Sequence, residues 1–120
     1  MTDDKREEIK AAIADALDRR RGMRKPLRVP AGLVVAGKQL TARTIDIGVR
    51  GLAIEVDEAL PTKAECHVVL TLPVGGRGHT LRLHALVVHG MGSPAHGFKV
   101  GLELKDVSAE DVRLIEQFLA

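Results

Sequence analysis

The chain has 120 residues, 45% of them hydrophobic and 28% charged, with a formal charge of +2. This is the make-up of one globular domain, able to bury roughly two-thirds of its unfolded surface. It excludes an intrinsically disordered chain, and a charge this small does not by itself suggest a general polyanion binder. Aromatic residues are 2%, only Phe98 and Phe118, which leaves no stacking platform for single-stranded nucleic acid.

In chain order, residues 3–21 are predicted to form a helix. Ile9, Ala12, Ile13, Ala16 and Leu17 recur at helical spacing. Asp3, Asp4, Glu7 and Glu8 stand in its first turns and Arg19, Arg20 and Arg21 in its last, which complements the helix dipole. Gly22 suits the left-handed position just past a helix end. Because the apolar stripe is narrow, the helix is expected to dock on the domain or on another chain. Residues 19–28 carry six positive side chains, Arg19, Arg20, Arg21, Arg24, Lys25 and Arg28, with no acid among them. Beyond the helix they are expected to form a flexible basic linker that becomes ordered when an anion arrives.

From residue 28 the period becomes two. Leu33 and Val35 alternate with Val34 and Ala36 up to a turn at Gly37-Lys38. Leu40, Ala42, Thr44 and Asp46 then alternate with Thr41, Arg43, Ile45 and Ile47, and after two glycines Leu52, Ile54 and Val56 face away from Ala53, Glu55 and Asp57. Residues 65–73 form an almost continuously apolar strand ending at Pro73. A Gly75-Gly76-Arg77-Gly78 loop leads to Leu81, Leu83, Ala85 and Val87 on one face of the next strand. A second loop is expected at 90–96, and the last strand, about 97–104, sets Phe98, Val100, Leu102 and Leu104 on one face. Six short strands with turn signals and no intervening helix indicate an antiparallel barrel or sandwich, a mainly β fold.

Ser108, with Asp111 three residues on, is a good N-cap for a terminal helix whose buried stripe is Val112, Ile115 and Leu119, with Phe118 at its edge. The division is therefore an N-terminal helical extension, 1–22, and a β-barrel domain with a C-terminal helix, 23–120. Cys66 is the only cysteine and reads as core filling; with no signal peptide, this favours a reducing, cytoplasmic setting. No apolar run reaches the roughly 20 residues needed to cross a bilayer, so no direct membrane insertion is expected.

The chemistry concentrates in two places. Arg24 and Arg28 flank a proline in an RKPLR pentad, and 18 residues after Arg28 comes the string DIGVRG, Asp46 to Gly51, at the junction of two strands. Guanidinium forks suit phosphates and the O6/N7 edge of guanine, while a carboxylate accepts from guanine N1 and N2. A site holding both suits a ligand with guanine and phosphate, and implies recognition in place of bond-making.

These residues resemble the PilZ domain family, whose pattern is Arg-x-x-x-Arg followed by Asp or Asn-x-Ser-x-x-Gly between the second and third strands. Arg24 and Arg28 match the first part, and Asp46 and Gly51 the second; Gly48 stands where the family has serine. The strand count, the VGLEL string and the last helix extend the likeness from about residue 22 to the end. The resemblance implies a six-stranded antiparallel split barrel that binds cyclic di-GMP, changes conformation and signals to a protein effector. Arg24 and Arg28 would take phosphate and guanine, Asp46 would accept from the guanine edge, and Gly51 would permit a tight backbone turn. Arg20, Arg21 and Arg50 are further candidates for phosphate contact. Met23 adds no anion-binding fork before the first arginine, a lean toward one ligand molecule instead of a stacked pair.

Blander readings stand beside these. Asp46 also suits an Asx-turn over nearby amides, which is compatible with ligand binding, and Arg19–Arg21 suit simple compensation of a helix end. The serine-to-glycine departure keeps open a degenerate PilZ-like domain acting as a protein–protein adaptor. Five histidines, His67, His79, His84, His89 and His96, show no metal-ligand spacing, and no nucleophile elbow or phosphate-binding loop is present, so neither enzyme, metal nor cofactor is expected. Binding of a nucleic-acid polymer through the basic run is a minor alternative. The sequence leaves open whether the chain forms a homodimer.

Overall fold

The computed structural model describes residues 22–120. The helix expected at 3–21, together with Arg19, Arg20 and Arg21, lies outside the described residues. Gly22, the first described residue, is helical, so the position just past a helix end expected for it is not found.

Seven strands and one helix follow in order: β1 Lys25–Pro26, β2 Pro30–Val35, β3 Lys38–Ile47, β4 Gly51–Val56, β5 Glu65–Val74, β6 Arg77–Ser93, β7 Gly97–Lys105 and α1 Ala109–Leu119. All pairings are antiparallel. The order β3-β2-β5-β6-β7-β4 closes on itself through a β3–β4 pairing, making a six-stranded barrel, with the two-residue β1 added along β3. Closure removes the open edges that an antiparallel sheet would otherwise expose.

Period-two patterning dictates which side chains fill the barrel. Ala31, Leu33 and Val35 of β2, Leu52, Ile54 and Val56 of β4, and Leu81, Leu83, Ala85 and Val87 of β6 all point inward and are buried. β5, nearly all apolar in sequence, still alternates: Cys66, Val68, Leu70 and Leu72 are buried, while His67, Val69, Thr71 and Pro73 face out. The core is aliphatic, and both phenylalanines lie partly buried at its rim.

Two tight turns set the registers. Ala36 and Gly37 both have positive φ, as do Gly75 and Gly76, the backbone that two-residue hairpins require. The first turn therefore falls one residue earlier than expected. The second leaves Arg77 and Gly78 inside β6, not in a loop. β6 also runs further than the sequence suggests: Gly90, Gly92 and Ser93 pair with Val100, Phe98 and Gly97. A bulge between Val87 and His89 resets the alternation there, which hid the strand from a strict period-two reading.

The helix α1 is capped as expected. Ser108 accepts a hydrogen bond from the Asp111 amide at 3.1 Å. Ile115 is its fully buried residue, and α1 lies against β5. Phe118 and Leu119 pack partly on the core as expected, Val112 is half-buried, and Leu114 joins the buried face.

Candidate functional site

The segment carrying Arg24 and Arg28 is not a free linker. Lys25 pairs with Ile47 and Pro26 with Asp46, and the Leu27 amide donates to the Ile45 carbonyl at 3.0 Å. Leu27 itself is buried in the core. Thr44, the one buried polar residue of the described chain, holds the next stretch. Its hydroxyl donates to the Leu27 carbonyl and accepts from the Val29 amide at 2.9 Å, and its own amide donates to the Val29 carbonyl at 2.9 Å. Residues 25–29 are thus tied to β3, and the expected flexibility is absent because an apolar anchor and a hydroxyl bracket the chain just before and after Arg28.

Asp46 owes its position to a bulge. Strict alternation would put it on the face of Leu40, Ala42 and Thr44. The register shifts between Thr44 and Asp46, so that Ile47 is buried instead and Asp46 stays at the surface. Bulges re-aim side chains in this way. The Asp46 carboxylate accepts from Nε of Arg24 at 2.9 Å, with the two side chains 32% and 40% exposed. Its recorded partner is this guanidinium and not a backbone amide, so the Asx-turn reading does not describe it.

The turn Gly48-Val49-Arg50-Gly51 follows directly, closed by a hydrogen bond from the Gly48 amide to the Gly51 carbonyl at 2.8 Å. None of its four residues has positive φ. The tight-turn role implied for Gly51 is therefore not what the geometry requires. What both glycines provide is room for close approach. A Cβ on Gly48 would collide with the Met23 carbonyl oxygen and stand 3.0 Å from Cδ of Arg24. A Cβ on Gly51 would collide with Nη1 of Arg24 and stand 3.2 Å from the Leu102 carbonyl oxygen. Arg24 lies flat over the turn.

Arg24, Asp46, Gly48 and Gly51 are thus brought together. Arg28 is directed elsewhere: its Nη1 is 3.8 Å from Oε1 of Glu55, and its side chain is 60% exposed. Four residues of extended chain span at most roughly 13 Å, so the two guanidiniums can address separate parts of one ligand. Arg50 is exposed at the turn; its carbonyl accepts from Leu104 at 2.9 Å, and no ion pair of its side chain is found among the described residues. Arg20 and Arg21 lie outside them.

Glu55 leads from Arg28 into a groove of about 560 Å³ on the outer wall, lined also by Arg43, Asp57, Met91, Phe98 and Lys99. None of the five expected binding residues lines this groove. On the far wall His67 stacks on His84 with centroids 5.1 Å apart. No group of three potential metal-ligating side chains occurs among the described residues. Burial pushes the Cys66 thiol up to about 11, consistent with an inert core residue.

Sequence reasoning missed Thr44, Leu27 and Lys25. Thr44 is visible only as a polar residue in phase with Leu40 and Ala42, a phase that also holds Asp46. Lys25 left no such signal. Its ammonium donates to the Phe118 carbonyl at 3.0 Å and sits 4.7 Å from the Phe118 ring centroid, a contact across 93 residues.

The family model described as the PilZ domain matches residues 18–120. No curated protein matches the chain. Among solved structures, the Bacillus subtilis inhibitor of motility, MotI/DgrA, is similar at a TM-score of 0.71 and 15% identity, over 80% of this chain and 47% of that one. The chain thus spans about half the length of that protein. YcgR of Escherichia coli in complex with c-di-GMP is similar at 0.61 and 14%, over 78% of this chain and 41% of that one. The PilZ domain of CeSA from a cellulose-synthesizing bacterium is similar at 0.56 and 15%, over 81% and 94%. At these identities the likeness is one of fold.

Proposed function

The chain belongs to the PilZ domain family, and from that premise we propose that it is a cyclic di-GMP receptor or adaptor, a binding module and not a catalyst, which passes ligand binding on to a partner protein. The observation that carries this reading is the Arg24–Asp46 pair laid over the Gly48–Gly51 turn. It joins a forked cation and a carboxylate at one bend of the barrel wall, the two groups a guanine-and-phosphate ligand needs.

In this reading Arg24 and Arg28 take a phosphate and a guanine of the ligand, and Asp46 accepts from guanine N1 and N2. Gly51 lets the ligand or the arginine lie directly on the backbone, and Gly48 leaves room for the segment that carries Arg24. Arg50, and Arg20 and Arg21 upstream, add phosphate contacts. The existing Arg24–Asp46 pair is only about two-thirds covered, and such surface pairs contribute about 0.2–1 kcal/mol. A bidentate base contact is worth roughly 1–3 kcal/mol, so the ligand outcompetes the pair it rearranges. The receptor acts in the cytoplasm, where its nucleotide and its protein effector meet.

A second reading, the adaptor without useful nucleotide affinity, draws on one observation: the Met23 carbonyl already occupies the place where the family's serine side chain would project from position 48. Calorimetric titration with cyclic di-GMP separates the two. Saturable heat at low micromolar ligand supports the receptor, and no heat up to high micromolar ligand leaves the adaptor.

A further inference from the structure

We propose that Gly48 is the seat of a latch: in the free protein Met23 and Arg24 lie down on the 48–51 turn, and a ligand binds only by lifting them. The proposal rests on the reading of this turn as a cyclic di-GMP site.

Three observations carry it. First, the glycine at 48 is not there for its own backbone, since its φ is ordinary and any residue could adopt it. What forbids a side chain is the chain segment above it, the Met23 carbonyl oxygen and Cδ of Arg24. Second, the same arginine is fixed at its head. Nε bonds one carboxylate oxygen of Asp46 at 2.9 Å, and Nη1 and Cζ cover Gly51, so one side chain spans both. Third, the neighbouring residue holds the segment from its other side. Lys25 reaches the C-terminal end of α1, bonding the Phe118 carbonyl at 3.0 Å and lying over its ring. Met23 lines a small cavity there with Glu116, Leu119 and Ala120. The segment therefore bridges the turn and the end of α1. Drawing Arg24 off Asp46 pulls on Lys25, and the end of α1 becomes the part of the barrel domain that feels the ligand. A site closed by its own chain binds with an affinity reduced by the fraction of time it is open.

The test uses the whole chain and two substitutions, Gly48→Ala and Gly48→Ser, both of which place a Cβ under the Met23 carbonyl. The latch itself is read by NMR, from the solvent exchange of the Arg24 Nε–H, and the site by calorimetry with cyclic di-GMP. The expected result is a slowly exchanging Nε–H in the native chain, faster exchange in both variants, and cyclic di-GMP bound about two- to fivefold more tightly by Gly48→Ala. An Nε–H that exchanges freely in the native chain overturns the latch, and this measurement needs no variant to fold. So does a folded Gly48→Ala with unchanged exchange and unchanged affinity, while the native chain's binding upholds the receptor reading. A protected Nε–H with no heat in any of the three proteins upholds the closed turn but overturns the receptor reading, and with it the role of ligand in lifting the segment.

Discussion

Arg24 and Asp46, 22 residues apart in sequence, meet at 2.9 Å through a single Nε–H to Oδ1 contact that leaves the second carboxylate oxygen free of Arg24. The bulge at Ile45 is what makes this possible, because it turns Asp46 out of the barrel while Ile47 fills the core behind it. A charged acceptor at a half-exposed position contributes little to folding, and the proposed reading gives it a role in recognition.

Replacing that carboxylate by its amide separates the two roles. Asp46→Asn keeps one acceptor oxygen, while guanine N1 and N2 present two donors. A lost hydrogen bond to a charged group is worth about 1.5–3 kcal/mol, so cyclic di-GMP affinity is expected to fall about ten- to a hundredfold by calorimetry. Folding stability should change by less than about 1 kcal/mol in urea titration. A large stability loss would instead make the pair a structural tie.

Arg28 has only a 3.8 Å approach to Glu55 and a largely exposed side chain. Arg28→Ala should therefore leave the thermal midpoint within about 3 °C of the native value and reduce cyclic di-GMP affinity by tenfold or more. Arg28→Lys should not restore it, because an ammonium offers neither the fork nor the plane. Native affinity in a folded Arg28→Ala would remove Arg28 from the site.

The barrel was legible because its strands alternate strictly where they bury one face: Leu52, Ile54 and Val56 announce β4 without ambiguity. The reading failed at the two bulges, where one extra residue flips the faces and nothing in the composition marks it. That is why simple alternation puts Asp46 in phase with Leu40, Ala42 and Thr44, and why the pattern of β6 breaks near Val88 although the strand continues to Ser93. The candidate binding residues could be named from residue types, spacing and the family resemblance. Their arrangement could not, since the contacts of Arg24 with Gly51 and of Lys25 with Phe118 depend on how distant segments meet. Gly48 shows the difference most clearly. In sequence it is a serine replaced; in the fold it is the space into which the Met23 carbonyl fits.

Cys66 offers a prediction on protonation. Burial raises its thiol to about 11, so little thiolate exists near neutrality, and alkylation by iodoacetamide at pH 8 should be on the order of a hundredfold slower than for an exposed thiol. The folded state holds the proton more tightly than the unfolded one. The corresponding stability is present below about pH 9 and lost as pH rises toward 11. Urea midpoints measured across that window should decline in the native chain and decline less in Cys66→Ala. Fast alkylation of the folded protein would contradict the burial.

Thr44 gives the sharpest test of how the arginine segment is held. Thr44→Val conserves volume and removes only the hydroxyl that links the Leu27 carbonyl to the Val29 amide. Thr44 is fully buried, so the Val29 N–H loses its partner, which costs about 1–3 kcal/mol. The backbone bond from the Thr44 amide to the Val29 carbonyl survives, and Leu27 remains buried, so the segment loosens without leaving β3. The expected signature is a urea stability loss in that range, a selective rise in hydrogen exchange at Val29, and weaker cyclic di-GMP binding as Arg28 loses its fixed origin. If stability and Val29 exchange both stay native, Leu27 alone holds the segment, and the hydroxyl has no part in placing Arg28.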